Sequence, residues 1–153
     1  MKIQLSAILL FLISNCAIVQ REKTFASDKN HKATLSGKWK LVKYHNLTAG
    51  TSESEPSNIE RSIIIEFSDN GHKGKMNGHT VTNSVSGAYE LLKNNKMKTI
   101  SFGGTKVAEL GWGSKFWNAI HSASSYERHG NKLFIFFNAD NEKMEFTKEK
   151  NTH

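Results

Sequence analysis

Between Gly74 and Leu91 the chain has no long apolar run, yet its clearest strands lie on either side. The stretch carries Asn83 and three glycines, Gly74, Gly78 and Gly87. Among strand-forming residues, glycine marks places where a strand bends or bulges, or where another backbone comes close. We read this stretch as the structural centre of a small β-rich domain.

The flanking segments support that reading. From Leu35 to Tyr44, Lys38 and Lys40 alternate with Trp39 and Leu41, the pattern of a half-buried strand that begins after Gly37. Residues 46–60 hold Thr, Ser, Glu and the only proline, Pro56, and read as an exposed loop. In the segment 62–67, Ile63, Ile65 and Phe67 share one face and Glu66 faces solvent, with Asp69, Asn70 and Gly71 as the following turn. Strands are expected near 72–77, 79–82 and 85–92, then a turn at Asn94 and Asn95 and a strand over 96–102. Gly103 and Gly104 should interrupt this strand, with 105–108 resuming it. From Ser114 to Ala123 the period changes: Phe116, Trp117 and Ile120 fall on one helical face, and Ser114 suits the N-cap. Strands follow at 125–128, 133–137 and 143–147, separated by turns at Gly130 and at 139–141. The expectation is a mainly β (α+β) fold: an antiparallel meander of about eight strands, barrel-like, with one short helix before the last strands.

The amino terminus is a separate unit. Lys2 precedes an apolar run from Ile3 to Ile13, broken only by Gln4 and Ser6. Such a run is too short for a spanning helix, which needs ~20 residues, but suits the apolar core of a signal peptide. It ends in Ile13, Ser14, Asn15 and Cys16, the only cysteine in the chain. The order resembles a bacterial lipobox, although Asn15 stands where glycine, alanine or serine is usual. That resemblance implies cleavage after residue 15 and acylation of Cys16, whose thiol is the nucleophile that forms the thioether. Residues 16–34 are polar and aperiodic, a tether from the anchor to a domain at 35–148, and 149–153 form a polar tail. At 153 residues there is room for one domain, and with Cys16 lipidated it has no disulfide. The formal charge of +7 is scattered in ones and twos. That distribution describes a solvated basic surface, compatible with anionic lipid, rather than a nucleic-acid footprint.

The order of these signals resembles the META/HslJ-like domain, a small bacterial envelope domain. The resemblance runs from Gly37 and Trp39 through Ile64 to Phe67 and Asp69 to Gly71. It is sharpest from Gly78 to Asn83 and at Gly87 and Tyr89. It continues at Thr105, Val107 and Ala108, then through the helix to Met144 and Phe146. Thr82 and Glu109 stand at two positions where the family pattern has cysteine. Their joint replacement is what facing positions would produce, and it excludes redox or metal chemistry built on those cysteines. The resemblance implies a non-enzymatic envelope protein with a role in stress or maintenance.

Gly37, Trp39, Gly78, Asn83, Gly87, Tyr89 and Thr105 therefore read as structural, with Asn83 holding a tight bend. Trp112, between Gly111 and Gly113, is a candidate for an exposed contact residue on a loop, with a core position as the alternative. Trp39 and Trp117 read as core. His72 and His79 could meet across a hairpin but lack a third zinc ligand. No nucleophile, carboxylate pair or phosphate-cradling loop has an enzyme's local signature, so neither catalysis nor a cofactor is expected. The expected partners are membrane lipid through acylated Cys16 and an envelope protein or small ligand, with the outer membrane favoured by the absence of an acidic residue after Cys16. The alternative is a lipocalin-like carrier, since Gly37 and Trp39 open the first strand as in lipocalins. The position of the helix, before the last strands, argues against it.

Overall fold

The computed structural model describes residues 34–150. Cys16, the signal segment 1–15, all but the last residue of the tether and residues 151–153 lie outside the described residues. The elements run β1 (Gly37–Asn46), β2 (Thr51–Ser54), β3 (Ile64–Asp69), β4 (Lys73–His79), β5 (Ser84–Leu91), β6 (Met97–Gly104), α1 (Gly111–His121), β7 (Ser125–His129), β8 (Lys132–Phe137) and β9 (Glu142–Lys148). The pairings are antiparallel, and eight strands follow the order β6-β5-β4-β3-β1-β9-β8-β7. The expected mainly β meander with a helix before its last strands is therefore present.

Alternation sets the inside of the curled sheet. Trp39 and Leu41, Ile65 and Phe67, Leu133 and Ile135, and Met144 and Phe146 point inward and are buried. Their neighbours Lys38, Glu66 and Lys132 are exposed, as period-two patterning requires. A lipocalin-like carrier would need this interior open. Here Trp39, Phe67, Tyr89, Phe116, Leu133 and Phe146 occupy it, each no more than 1% exposed.

Two glycines of the 74–91 stretch make the packing possible. A Cβ on Gly74 would run into the Tyr89 ring, which lies edge-on to Phe67 and donates its hydroxyl to Asp69 Oδ2 at 2.8 Å. A Cβ on Gly78 would run into the carbonyl oxygen of Ile64 on the paired strand. The close backbone approach that the glycines suggested is real at Gly78. At Gly74 the close neighbour is a ring instead.

The sheet curls until its edges touch. Lys96 bridges Ser125, the Met97 N–H donates to the Ser124 carbonyl at 2.9 Å, and the Tyr126 N–H donates to the Asn95 carbonyl at 2.9 Å. Asp140 fastens this seam: Oδ1 accepts from Ser124 and Ser125 Oγ at 2.6 and 2.8 Å, and Oδ2 pairs with Lys96 Nζ at 2.7 Å. Asp140 reaches the seam because Asn138, Ala139 and Asp140 all take positive φ, a conformation unfavourable for Ala139 and retained where surrounding contacts hold it.

Several sequence expectations need correction. There is no strand at 79–82: β4 runs through His79, and the Thr80 N–H bonds the Asn83 carbonyl at 2.8 Å to close a turn. Consequently His72, the residue before β4, and His79, its last residue, are about 23 Å apart at the ordinary strand rise rather than facing each other across a hairpin. The loop at 46–60 contains β2, which pairs with Lys43 to Asn46 on the side of β1 that β3 covers only over Gly37 to Lys40. Gly103 and Gly104 belong to β6, and 105–108 is not a strand. The helix starts at Gly111 with Leu110 as an N-cap lacking a side-chain hydrogen bond, because Trp112 and Gly113 complete the buried stripe of Phe116, Ala119 and Ile120. Trp112 is thus not an exposed contact: it is 4% exposed, edge-on to Tyr44 at 4.5 Å, with its carbonyl accepting the Tyr44 hydroxyl at 3.2 Å.

Gly78→Ala should lower stability by about 1–3 kcal/mol, because backbone must move to admit the Cβ. Gly103→Ala, where a Cβ would meet nothing within 4 Å, should leave the urea midpoint near wild type. Equal midpoints for the two variants would contradict the close approach at Gly78. The seam makes a separate prediction. Hydrogen bonds from Lys96, Ser124 and Ser125 hold the Asp140 pKa down at about 2. A carboxyl whose pKa falls on folding stabilises above its unfolded value of ~3.9 and loses that contribution as pH drops through its folded value. Asp140→Asn should therefore be less stable than wild type at pH 7, with the gap narrowing from pH 4 to pH 2 in urea titrations.

Candidate functional site: the Glu109 node and its groove

The turn after β4, the segment after β6 and the start of α1 meet at one carboxylate. Glu109 Oε2 accepts hydrogen bonds from Thr80 Oγ1 at 2.7 Å, Asn83 Nδ2 at 3.0 Å and Trp117 Nε1 at 2.6 Å. Its Oε1 accepts the Thr82 N–H at 3.3 Å. Burial would raise the Glu109 pKa, but these four donors together outweigh it and hold the carboxyl below its ordinary value. Gly113 contributes by having no side chain: a Cβ there would run into the Glu109 carboxylate. The anion therefore rests against the first turn of α1, where the helix dipole favours negative charge.

Asn83 supplies the second half of the node. Its Oδ1 accepts the Val107 N–H at 3.0 Å and the Thr105 hydroxyl at 2.9 Å, while Nδ2 donates to the Val107 carbonyl at 3.0 Å. A side-chain amide thus takes both backbone groups of Val107, as a neighbouring strand would, which satisfies this segment's backbone without a strand partner. Asn83 was expected to hold its own bend. The bend is closed instead by Thr80, whose hydroxyl accepts the Asn83 N–H at 3.3 Å, and the Asn83 side chain ties down a different segment. Thr105 Oγ1 also accepts the Ser84 N–H at 3.2 Å.

The other sequence-derived positions are spread through the fold. Trp39 is in the core with its indole N–H on the Leu35 carbonyl at 2.8 Å, and Gly37 lies against that indole. Tyr89 is 1% exposed, and burial followed by its bond to Asp69 pushes its phenol pKa far up. Gly87 pairs with Met76 and Phe102, and a Cβ on it would run into the Ser101 carbonyl. Sequence reasoning noted Glu109 only as a replaced cysteine and read Trp117 only as core. The available signal was that Glu109 and Thr82 replace the pair together, and the structure brings them into contact.

A groove of about 450 Å³ opens beside the node, lined among others by Thr105, Lys106, Ser114, Trp117 and Asn118. Val107 and Leu110 stand exposed on the same segment, at 55% and 85%. A second concavity of about 710 Å³ lies over β3–β6, with Lys73, Asn77, Glu90 and Ile100 in its lining. Among the described residues no group of three or more His, Cys, Asp or Glu is placed to hold a metal, and no helix is long and apolar enough to cross a membrane.

Glu109→Ala would leave the Trp117 indole without its acceptor and remove one each from the Asn83 amide and the Thr80 hydroxyl. The expected loss is on the order of 2 kcal/mol or more in chemical denaturation. Gly113→Ala should destabilise in the same direction, and less so when combined with Glu109→Ala. Additive losses would show that the glycine does not serve the carboxylate.

The sequence matches the META domain over residues 33–151. In three dimensions the chain is similar to a protein from Burkholderia xenovorans solved by NMR, with a TM-score of 0.58 and 19% identity over 75% of this chain and 83% of that one. It is also similar to a crystal structure of a DUF4847 family protein from Bacteroides vulgatus, with a TM-score of 0.55 and 17% identity over 76% and 95%. At these identities the likeness is one of fold. No curated protein matches the chain. With a curled antiparallel sheet, a helix before the last strands and a match across all of the described residues, the chain belongs to the META domain family.

Proposed function

We propose that this chain is a lipid-anchored cell-envelope protein whose META domain works by contact and not by catalysis. The observation that carries the second half is the state of its best-placed polar groups. Glu109 is occupied by four donors, Asn83 is spent on Val107, and Asp69 accepts from Leu35, Ser36, Tyr89 and Gly71. The Glu109 carboxylate, held this way with its pKa lowered, is a poor proton acceptor and a good strut. What the node leaves outward is a rim of Val107, Leu110, Lys106 and part of Trp117, suited to touching an envelope protein or a small ligand.

The first half rests on the sequence. Ile13, Ser14, Asn15 and Cys16 follow an apolar segment, and the charge of +7 favours residence near anionic lipid. Several acyl chains at ~0.8 kcal/mol per buried methylene would hold the protein durably. The proposed location is the outer membrane, facing the periplasm, in a stress or maintenance role. Cys16→Ser should abolish incorporation of radioactive palmitate and move the protein out of the membrane fraction. Undiminished labelling of that variant would refute the anchor.

A further inference from the structure

We infer that the outer face of the sheet carries a binding site for a phosphate group, formed by Lys38, Arg61 and His79. This site is separate from the Glu109 groove and does not depend on the lipid anchor. It is a concavity of about 360 Å³ whose lining includes these three residues with Glu66, Asn77 and Ser84. Strand register builds it: Lys38, Glu66 and Asn77 pair across β1, β3 and β4 in one row, and Ile64, His79 and Ser84 pair in the neighbouring outward row.

Arg61 is fixed for the purpose. Its Nε donates to the carbonyls of Thr80 and Val81 at 2.9 and 3.0 Å. The turn closed by Thr80 thereby holds the guanidinium on the rim, and no acceptor among the described residues takes its terminal nitrogens. A guanidinium held in place through Nε presents a planar pair of donors that matches a phosphate's oxygens. Among the described residues no carboxylate lies within ion-pairing distance of Lys38, Arg61 or His79. Lys73, in the concavity over β3–β6, differs in sitting 3.9 Å from Glu90. Lys38 and Arg61 share this concavity with one carboxylate, Glu66, that ion-pairs with neither, and a multivalent oxyanion relieves the repulsion between the two cations.

His79 records the imbalance. Its Nδ1 is buried without a hydrogen-bond partner. Burial, then the charge of Arg61 and more weakly that of Lys38, hold its pKa below the ordinary histidine value. The charged groups facing it are Lys38 from β1, Arg61 from the segment before β3 and Glu66 from β3. Bound phosphate would reverse the sign of the local field and raise that pKa. The lone carboxylate of Glu66, in the row beside Lys38, favours a phosphate that also carries a hydroxyl or ammonium donor over a bare polyanion. Both a phospholipid headgroup and a free phosphorylated solute meet this description.

The test is a titration of the full chain in a neutral detergent, followed by the imidazole NMR signals of His79. The probes are glycerol 1-phosphate for a free solute and dihexanoyl-phosphatidylglycerol for a headgroup. Saturable shifts of His79 with a raised pKa are expected with at least one probe, and the responding probe identifies the source. Lys38→Gln and Arg61→Gln should each weaken binding by about tenfold, as loss of a charge-assisted contact implies, whereas Lys73→Gln should bind as wild type. Lys38 is exposed, so its variant remains informative if Arg61→Gln disturbs the turn. Absence of saturation with both probes overturns the site. So does wild-type binding by Lys38→Gln, or an equal loss in Lys73→Gln, which would signify diffuse charge attraction.

Discussion

The half-buried exchange between Glu109 and its donors holds together the parts of this domain that the sheet alone does not. Strand pairing fixes β1 and β3–β9 relative to one another, but the segment between β6 and β7 has no strand partner. Glu109 joins that segment to the Thr80–Asn83 turn and to Trp117 of α1, and Asn83 pairs with the backbone of Val107. Only with this segment in place can α1 lay Trp112, Phe116 and Ile120 over the interior. The carboxylate remains charged at neutral pH because donors surround it and offset the cost of its partial burial.

The domain is closed by the same kind of device at its other weak point. Where β6 and β7 meet they share a single bridge and two flanking backbone hydrogen bonds, and Asp140 adds three bonds from a loop with left-handed backbone. Residues 34–150 contain no cysteine, so neither join is covalent. Each consists of one carboxylate that collects donors from segments far apart in sequence. Thr82 and Glu109, which the sequence alone paired only by resemblance, make a hydrogen bond.

Local pattern was a good guide where an element is defined by its own alternation. Ile63, Ile65 and Phe67 with Glu66 outward, the left-handed Asn94 and Asn95 of the β5–β6 turn, and the helical spacing of Phe116 and Ile120 are all as the residues indicate. It was a poor guide where a distant partner decides. Thr80, Val81 and Thr82 have strand propensity, but a turn wins because their donors and acceptors are taken by Asn83, Glu109 and Arg61. Trp112 between two glycines looks like a loop residue, yet Tyr44, 68 positions away in sequence, draws it into the core.

What the sequence by itself determined is the class of fold and the family. Period-two burial, turn residues at short intervals and one change to helical period leave little besides an antiparallel meander with a late helix, and the spacing of Asn83, Gly87 and Tyr89 names the group. Only the tertiary structure decided what the polar residues are for. Hydrogen-bond partners such as Glu109 with Thr80, Asp140 with Lys96 and Arg61 with the 80–81 carbonyls are set by which strands become neighbours. Burial can be read from periodicity because it depends on one residue and its neighbours in sequence. A donor needs a particular acceptor at about 3 Å, and that distance exists only after the sheet has curled.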